Sequence, residues 1–136
     1  MDNNLSSIGI SGIGVDTIEI ERVKAAIEGH AGGRFERRVF TESEIAYCRS
    51  RGNPYPHFAA RFAAKESGMK ALGTGWTADV FWQGIEIWND SRGRPFLKFN
   101  GKTAEYVRKM GITGAQVSLS HDRSRAVAVV VLLRAQ

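Results

Sequence analysis

Cysteine, proline and long apolar runs are all scarce in this chain. The lone cysteine, Cys48, excludes an internal disulfide and makes a reducing compartment the natural setting. It falls in a helical pattern without a catalytic grouping nearby, so its expected place is the core. No stretch approaches the length of a membrane span, and the first residues lack the basic start and apolar run of a signal peptide. A cytoplasmic protein that does not enter a membrane is therefore expected. Residues 1–7 are polar and short, and are expected to form a frayed tail. A dinucleotide fingerprint is also missing. Gly9, Gly12 and Gly14 run G-x-x-G-x-G rather than G-x-G-x-x-G, and no βαβ pattern follows them.

What is present fits one folded domain, over 8–136, since 136 residues are enough for one proper core and too few for two. The net charge of +5 asks for an anionic partner: nucleic acid, a membrane surface, a phosphorylated ligand or an acidic protein. Arg22, Lys24, Arg34, Arg37 and Arg38 concentrate that charge in the first third. A sequence-specific nucleic-acid surface needs base-edge readers or stacking aromatics on a recognisable module, and none is found, so nucleic acid is not the expected partner.

Periodicity supplies the elements. Ile8, Ile10, Ile13 and Val15 predict a strand to Asp16, with a slip at Ser11-Gly12 that reads as a bulge. Ile20, Val23 and Ile27 predict a helix over about 18–28, opened by a capping box of Asp16 with Glu19. Thr41 with Glu44 is a second capping box, for a helix to about Arg51. Pro54 and Pro56 mark a loop, with Pro56 placed to start a long helix that stops at Gly73. Residues 76–83 have no clean pattern and are left as loop. Ile85–Trp88 and Pro95–Phe99 form a hairpin, Asn100 is expected to cap a helix over 102–110, and 117–121 with 126–133 form a last hairpin.

The chain is organised around Arg61 to Gly75. Glu66 and Lys70 are four residues apart and share a helix face with Ala59 and Ala63, whose small side chains leave room beside the pair. Phe58, Phe62, Met69 and Leu72 make the adjacent apolar stripe. Taken alone, Glu66 and Lys70 read as an exposed ion pair worth a few tenths of a kcal/mol.

The run Arg61-Phe62-Ala63-Ala64-Lys65-Glu66, with Lys70 and Ala71-Leu72-Gly73-Thr74-Gly75 after it, resembles the signature of the phosphopantetheinyl transferases, in their short single-domain branch, the holo-acyl-carrier-protein synthases. Gly12-Ile13-Gly14-Val15-Asp16-Thr17-Ile18-Glu19 is similar to that branch's opening motif. Ser118-Leu119-Ser120-His121 resembles its strand-end motif, and Asn89-Asp90, Gly93 and Pro95 its hairpin. Ser67 and Gly68 depart from the pattern, which usually has alanine and a larger residue there. A glycine inside a helix costs roughly 1 kcal/mol relative to alanine.

The resemblance implies an α+β fold, a small antiparallel sheet with packed helices, and a magnesium-dependent enzyme. It would move the 4'-phosphopantetheine arm of coenzyme A onto a serine of apo acyl carrier protein, releasing adenosine 3',5'-bisphosphate. Asp16 and Glu66 are then the magnesium ligands, and Lys70 is a point charge on the pyrophosphate, a set that suits an ion taking few carboxylates and several waters and phosphate oxygens. Activation of the serine falls either to Glu66 or to a water on the metal. By the resemblance alone, Arg61, Thr74, Pro95, Ser120 and His121 join Lys70 in holding coenzyme A. Arg22, Arg34 and Arg38 would receive the acidic helix of the carrier protein, and the enzyme would be a homotrimer with sites between subunits. A lone histidine such as His121 is otherwise most often a structural residue. Two alternatives remain: a catalytically silent carrier-protein or nucleotide-binding module of the same fold, and a basic nucleic-acid-binding protein.

Overall fold

The computed structural model describes residues 8–135. The tail expected at 1–7 lies outside them. The elements are β1 (Ile8–Glu19), α1 (Ile20–Glu28), α2 (Arg34–Val39), α3 (Glu42–Arg49), α4 (Tyr55–Leu72), β2 (Ile85–Asn89), β3 (Pro95–Phe99), α5 (Gly101–Lys109), β4 (Ile112–His121) and β5 (Arg125–Ala135). The architecture is α+β, with β1, β5 and β4 in one antiparallel sheet and β2 with β3 as a separate hairpin.

Helix α4 lies across β1 and β5 and is the spine of the molecule. Its C-terminal Gly73 is left-handed, with φ of 78°, as the sequence predicts. Ala59, Ala60, Ala63, Ala64 and Ala71 are buried along it, so the sheet approaches closely. At the tightest points the strand has no side chain at all. A Cβ added at Gly14 would sit 2.0 Å from the Ser67 carbonyl oxygen, and one at Gly12 would sit 2.0 Å from that of Ala71. The two departures from the family pattern have local reasons. Gly68 leaves room for Ile85, whose Cδ1 would be 3.1 Å from an added Cβ. The Ser67 hydroxyl lies between the carbonyl oxygens of Ala63, at 2.7 Å, and Ala128, at 2.9 Å, tying α4 to β5.

The bulge appears where the sequence places it. Ile10 pairs with Leu133 and Gly12 with Leu132, leaving Ser11 as the extra residue. The inserted residue resets the alternation, so Ile8 and Ile10 join Ile13 and Val15 on the face turned away from α4. That face is open: these four are 65%, 68%, 65% and 53% exposed.

Three local expectations are corrected. The first helix starts at Ile20 rather than near 18, and Asp16 does not cap it. Thr17, Ile18 and Glu19 stay in the sheet opposite Val127, Ala126 and Arg125, and the helix has no side-chain cap. Strand pairing with β5 overrides the local capping signal. Asn100 occupies the N-cap position of α5 but does not cap it, because its amide donates instead to the Gln83 carbonyl and to Glu86. The last hairpin is longer than predicted, since β4 begins at Ile112. The Thr41–Glu44 capping box is present in full, and Cys48 is buried. Within 76–83 only a short turn at Trp82–Gly84 is helical. No helix among the described residues is long and apolar enough to cross a membrane.

Candidate active site

The predicted residues gather in two groups, one at each edge of the three-stranded sheet. Along β1, the glycine contacts bring Asp16 over the exposed end of α4. Lys70 Nζ lies 2.9 Å from Asp16 Oδ1 and 3.1 Å from the Val15 carbonyl oxygen. The helical ion pair expected between Glu66 and Lys70 is not formed, because the close approach of β1 offers Lys70 a nearer carboxylate. Glu66 is left without a salt-bridge partner among the described residues. Its carboxyl is pushed above the usual range, first by burial and then by the negative charge of Asp16, with Lys70 pulling partly back.

A partly buried Glu66 carboxyl raised by the neighbouring Asp16, beside a single lysine, makes a site short of positive charge. Among the described residues no group of three or more His, Cys, Asp or Glu side chains could hold a metal. Asp16 and Glu66 are the two carboxylates that could hold a hard cation here, one that takes few protein oxygens and completes its shell with water and phosphate.

The second group surrounds Arg61. This side chain is 2% exposed. Its guanidinium donates to Asn89 Oδ1 and lies over the Tyr47 ring, 4.2 Å from the centroid. No carboxylate among the described residues pairs with it, and its buried Nε has no partner. Arg61 lines a cavity of about 190 Å³ together with Tyr47, His57, Asn89, Pro95, Ser120 and His121. Four predicted residues, Arg61, Pro95, Ser120 and His121, thus share one wall. Thr74 belongs to neither group. It follows Gly73, and its hydroxyl donates to the neighbouring Gly75 carbonyl.

Of the basic residues, Arg34 and Arg38 are exposed and line a surface depression of about 390 Å³ with His30 and Phe35. Arg22 is exposed on α1, outside that depression.

Sequence reasoning missed a buried ion pair behind the site. Lys65 and Glu44 meet at 2.8 Å with both side chains 0% exposed. Lys65 also donates to the carbonyls of Trp82 and Ile85, and Glu44 accepts from the backbone N–H of Thr41 and Ile87. The pair therefore joins α3, α4 and β2 at the residue before Glu66. A signal was available: Phe58, Phe62, Lys65, Met69 and Leu72 are spaced by four and three in turn, which places the lysine inside the apolar stripe. His57 was also missed, and it gives no comparable signal in sequence.

The profile of the 4'-phosphopantetheinyl transferase superfamily matches residues 12–130. The chain is 42% identical over 123 residues to the holo-[acyl-carrier-protein] synthase of Solibacter usitatus, covering 90% of this chain and 98% of that one. Among solved structures, it is similar to the Neisseria meningitidis holo-[acyl-carrier-protein] synthase, with a TM-score of 0.84 at 31% identity, covering 91% of this chain and 98% of that one. It is also similar to the Bacillus anthracis enzyme in complex with coenzyme A (3',5'-ADP), with a TM-score of 0.76 at 34% identity, covering 92% and 97%.

Proposed function

The chain belongs to the 4'-phosphopantetheinyl transferase superfamily, and from that premise we propose that it is a holo-acyl-carrier-protein synthase that works in the cytoplasm. It transfers the 4'-phosphopantetheine arm of coenzyme A to a serine hydroxyl of apo acyl carrier protein. The serine oxygen forms a new bond to the pantetheine-side phosphorus, the bridging P–O bond of the pyrophosphate breaks, and adenosine 3',5'-bisphosphate leaves. The observation that carries this reading is the convergence of Asp16, Glu66 and Lys70, which β1 and α4 hold together through the glycine contacts.

Asp16 and Glu66 are the residues that would hold magnesium. When bound, the ion supplies positive charge against the pyrophosphate oxygens, where negative charge builds during phosphoryl transfer. Lys70 is half exposed and paired only with the shallow Asp16, so it can turn to the pyrophosphate at little cost. Glu66, raised in pKa and without a salt-bridge partner, also stands where it can take the serine proton. Arg61, Pro95, Ser120 and His121 hold the adenosine end, Thr74, just past the C-terminal end of α4, is a further coenzyme A contact, and the carrier protein's acidic helix meets Arg22, Arg34 and Arg38.

The two groups stand at opposite edges of a sheet in the order β1-β5-β4, roughly 10 Å apart by strand spacing. The open apolar face of β1 adjoins the first group. A homotrimer closed on that face would cover Ile8, Ile10, Ile13 and Val15 and set one subunit's Asp16 beside a neighbour.

The test is mass spectrometry of an apo acyl carrier protein incubated with this protein and coenzyme A, with magnesium or a chelator. A gain of roughly 340 Da that needs magnesium and is lost in Glu66→Ala is the expected result. No gain with several different carrier proteins overturns the assignment.

A further inference from the structure

The mechanism leaves one group of the Arg61 cavity without a role. His57 stands one turn before Arg61 on α4, partly buried, and lines the same cavity. Its ring lies edge-on to His121, with centroids 6.1 Å apart, and to Tyr47, at 5.9 Å. The other groups that act on it are cationic: Arg61 on its own helix and Arg51 after α3. The hairpin contributes Asn89, Gly93 and Pro95 to the wall, none of them charged. The cavity therefore concentrates donors and positive charge around a buried guanidinium that no carboxylate among the described residues neutralises. A buried charge without a counter-ion is costly, and a bound anion removes that cost.

We propose that His57 is a specificity-determining residue of this cavity, which takes a phosphate monoester, and that it binds the ester as imidazolium by taking up a proton when the ligand arrives. The proposal rests on the assignment of the Arg61 cavity to the adenosine end of coenzyme A, whose 3'-phosphate is the only monoester of that molecule. In the empty cavity, burial and then the charges of Arg61, Arg51 and His121 hold the imidazole below its usual range, so it is neutral at physiological pH. A phosphate dianion reverses the sign of the local field and draws a proton onto the ring. The proton comes from solvent, and no covalent bond changes. The ester itself cannot mimic this, because above pH about 7 it is already a dianion, and cations around it favour proton release rather than uptake.

The experiment is calorimetric titration of the whole protein with coenzyme A and with dephospho-coenzyme A, in buffers of different ionisation enthalpy, from pH about 7 to about 8.5. For coenzyme A we expect uptake of a fraction of a proton, up to about one per site, and an affinity that falls by up to about tenfold per pH unit. Dephospho-coenzyme A should bind more weakly, with no uptake. In His57→Phe and His57→Gln the uptake should vanish, and the preference for coenzyme A over the dephospho form should shrink and lose its pH dependence. Binding of coenzyme A without proton uptake overturns the role of His57 and leaves the transferase standing. Uptake that persists in both variants assigns the proton to another group, such as His121, and also overturns it. A wild-type protein that binds neither nucleotide overturns the transferase reading, and this proposal with it.

Discussion

Lys70 reaches across to Asp16 on the neighbouring strand rather than along its own helix to Glu66, with Nζ 2.9 Å from Oδ1. The contact spans two elements that are far apart in sequence, so the lysine's choice of partner depends on the fold. Its side chain is 54% exposed and that of Asp16 21%, and an ion pair so open to water contributes at most about 1 kcal/mol. Lys70→Met should therefore change the urea midpoint little. It should lower kcat/KM by about 100-fold or more, since it removes a cation aimed at developing charge. Loss of stability in step with activity would argue for a purely structural lysine.

Glu66→Gln separates the electrostatic cost of the site from its use. The folded chain holds the Glu66 proton to higher pH than the unfolded chain does. Between the two pKa values the folded state binds more protons, so stability from this group falls as pH rises and is lowest once Glu66 is ionised in both states. Without metal, the glutamine variant should match wild type near pH 4 and melt up to a few degrees higher near pH about 7. Coenzyme A alone should raise the Tm of both proteins, since the Arg61 cavity is intact in the variant, and magnesium added to that complex should raise the wild-type Tm further and leave the variant's unchanged. Differential scanning fluorimetry across pH reads both effects.

Lys65 gives the opposite profile. Removing one member of a buried ion pair leaves the other charge uncompensated, so Lys65→Met should cost about 3–5 kcal/mol in urea unfolding. The double variant Lys65→Met/Glu44→Gln should recover part of that loss, because a neutral amide at 44 carries no uncompensated charge and its one oxygen can still accept from either the Thr41 or the Ile87 N–H. Recovery in the double variant would identify the buried charge, rather than a cavity, as the source of the cost.

Ile13→Lys tests the open face of β1. The residue is 65% exposed and points away from α4, so a single chain should tolerate the lysine with a stability change of less than about 1 kcal/mol. A trimer closed on that face should dissociate, seen as a fall in mass by sedimentation, and activity should fall with it. An unchanged sedimentation coefficient would place any assembly on another surface.

Much of this architecture was legible in the sequence because it rests on local signals: the alternation of β1 with its slip at Ser11, the Thr41–Glu44 box, the hairpin at 85–99 and the helix ended by Gly73. The failures share one cause. Asp16 and Asn100 carry side chains that can cap a helix, but contacts distant in sequence override both: pairing of β1 with β5 through Glu19 carries the helix start past Asp16, and the Asn100 amide goes to Gln83 and Glu86. The candidate site was legible only through the family resemblance, because charge and spacing alone gave Glu66 and Lys70 an ordinary surface pair. Lys65 could have been found from its place in the apolar stripe. The Arg61 cavity could not, because it is closed by α3, α4, the hairpin and β4 together.

The approach of β1 to α4 at Gly12 and Gly14 is made main chain against main chain. Its gauge is therefore set by the van der Waals radii of peptide atoms, which do not drift, rather than by side-chain volumes, which do. Core residues such as Val130, Ile87 or Met69 can exchange for others of similar size and shift the packing around the helix while the gap beneath Asp16 keeps its width. Two glycines thus act as a fixed spacer, insulating the position of Asp16 over α4 from the slow substitution of the interior around it.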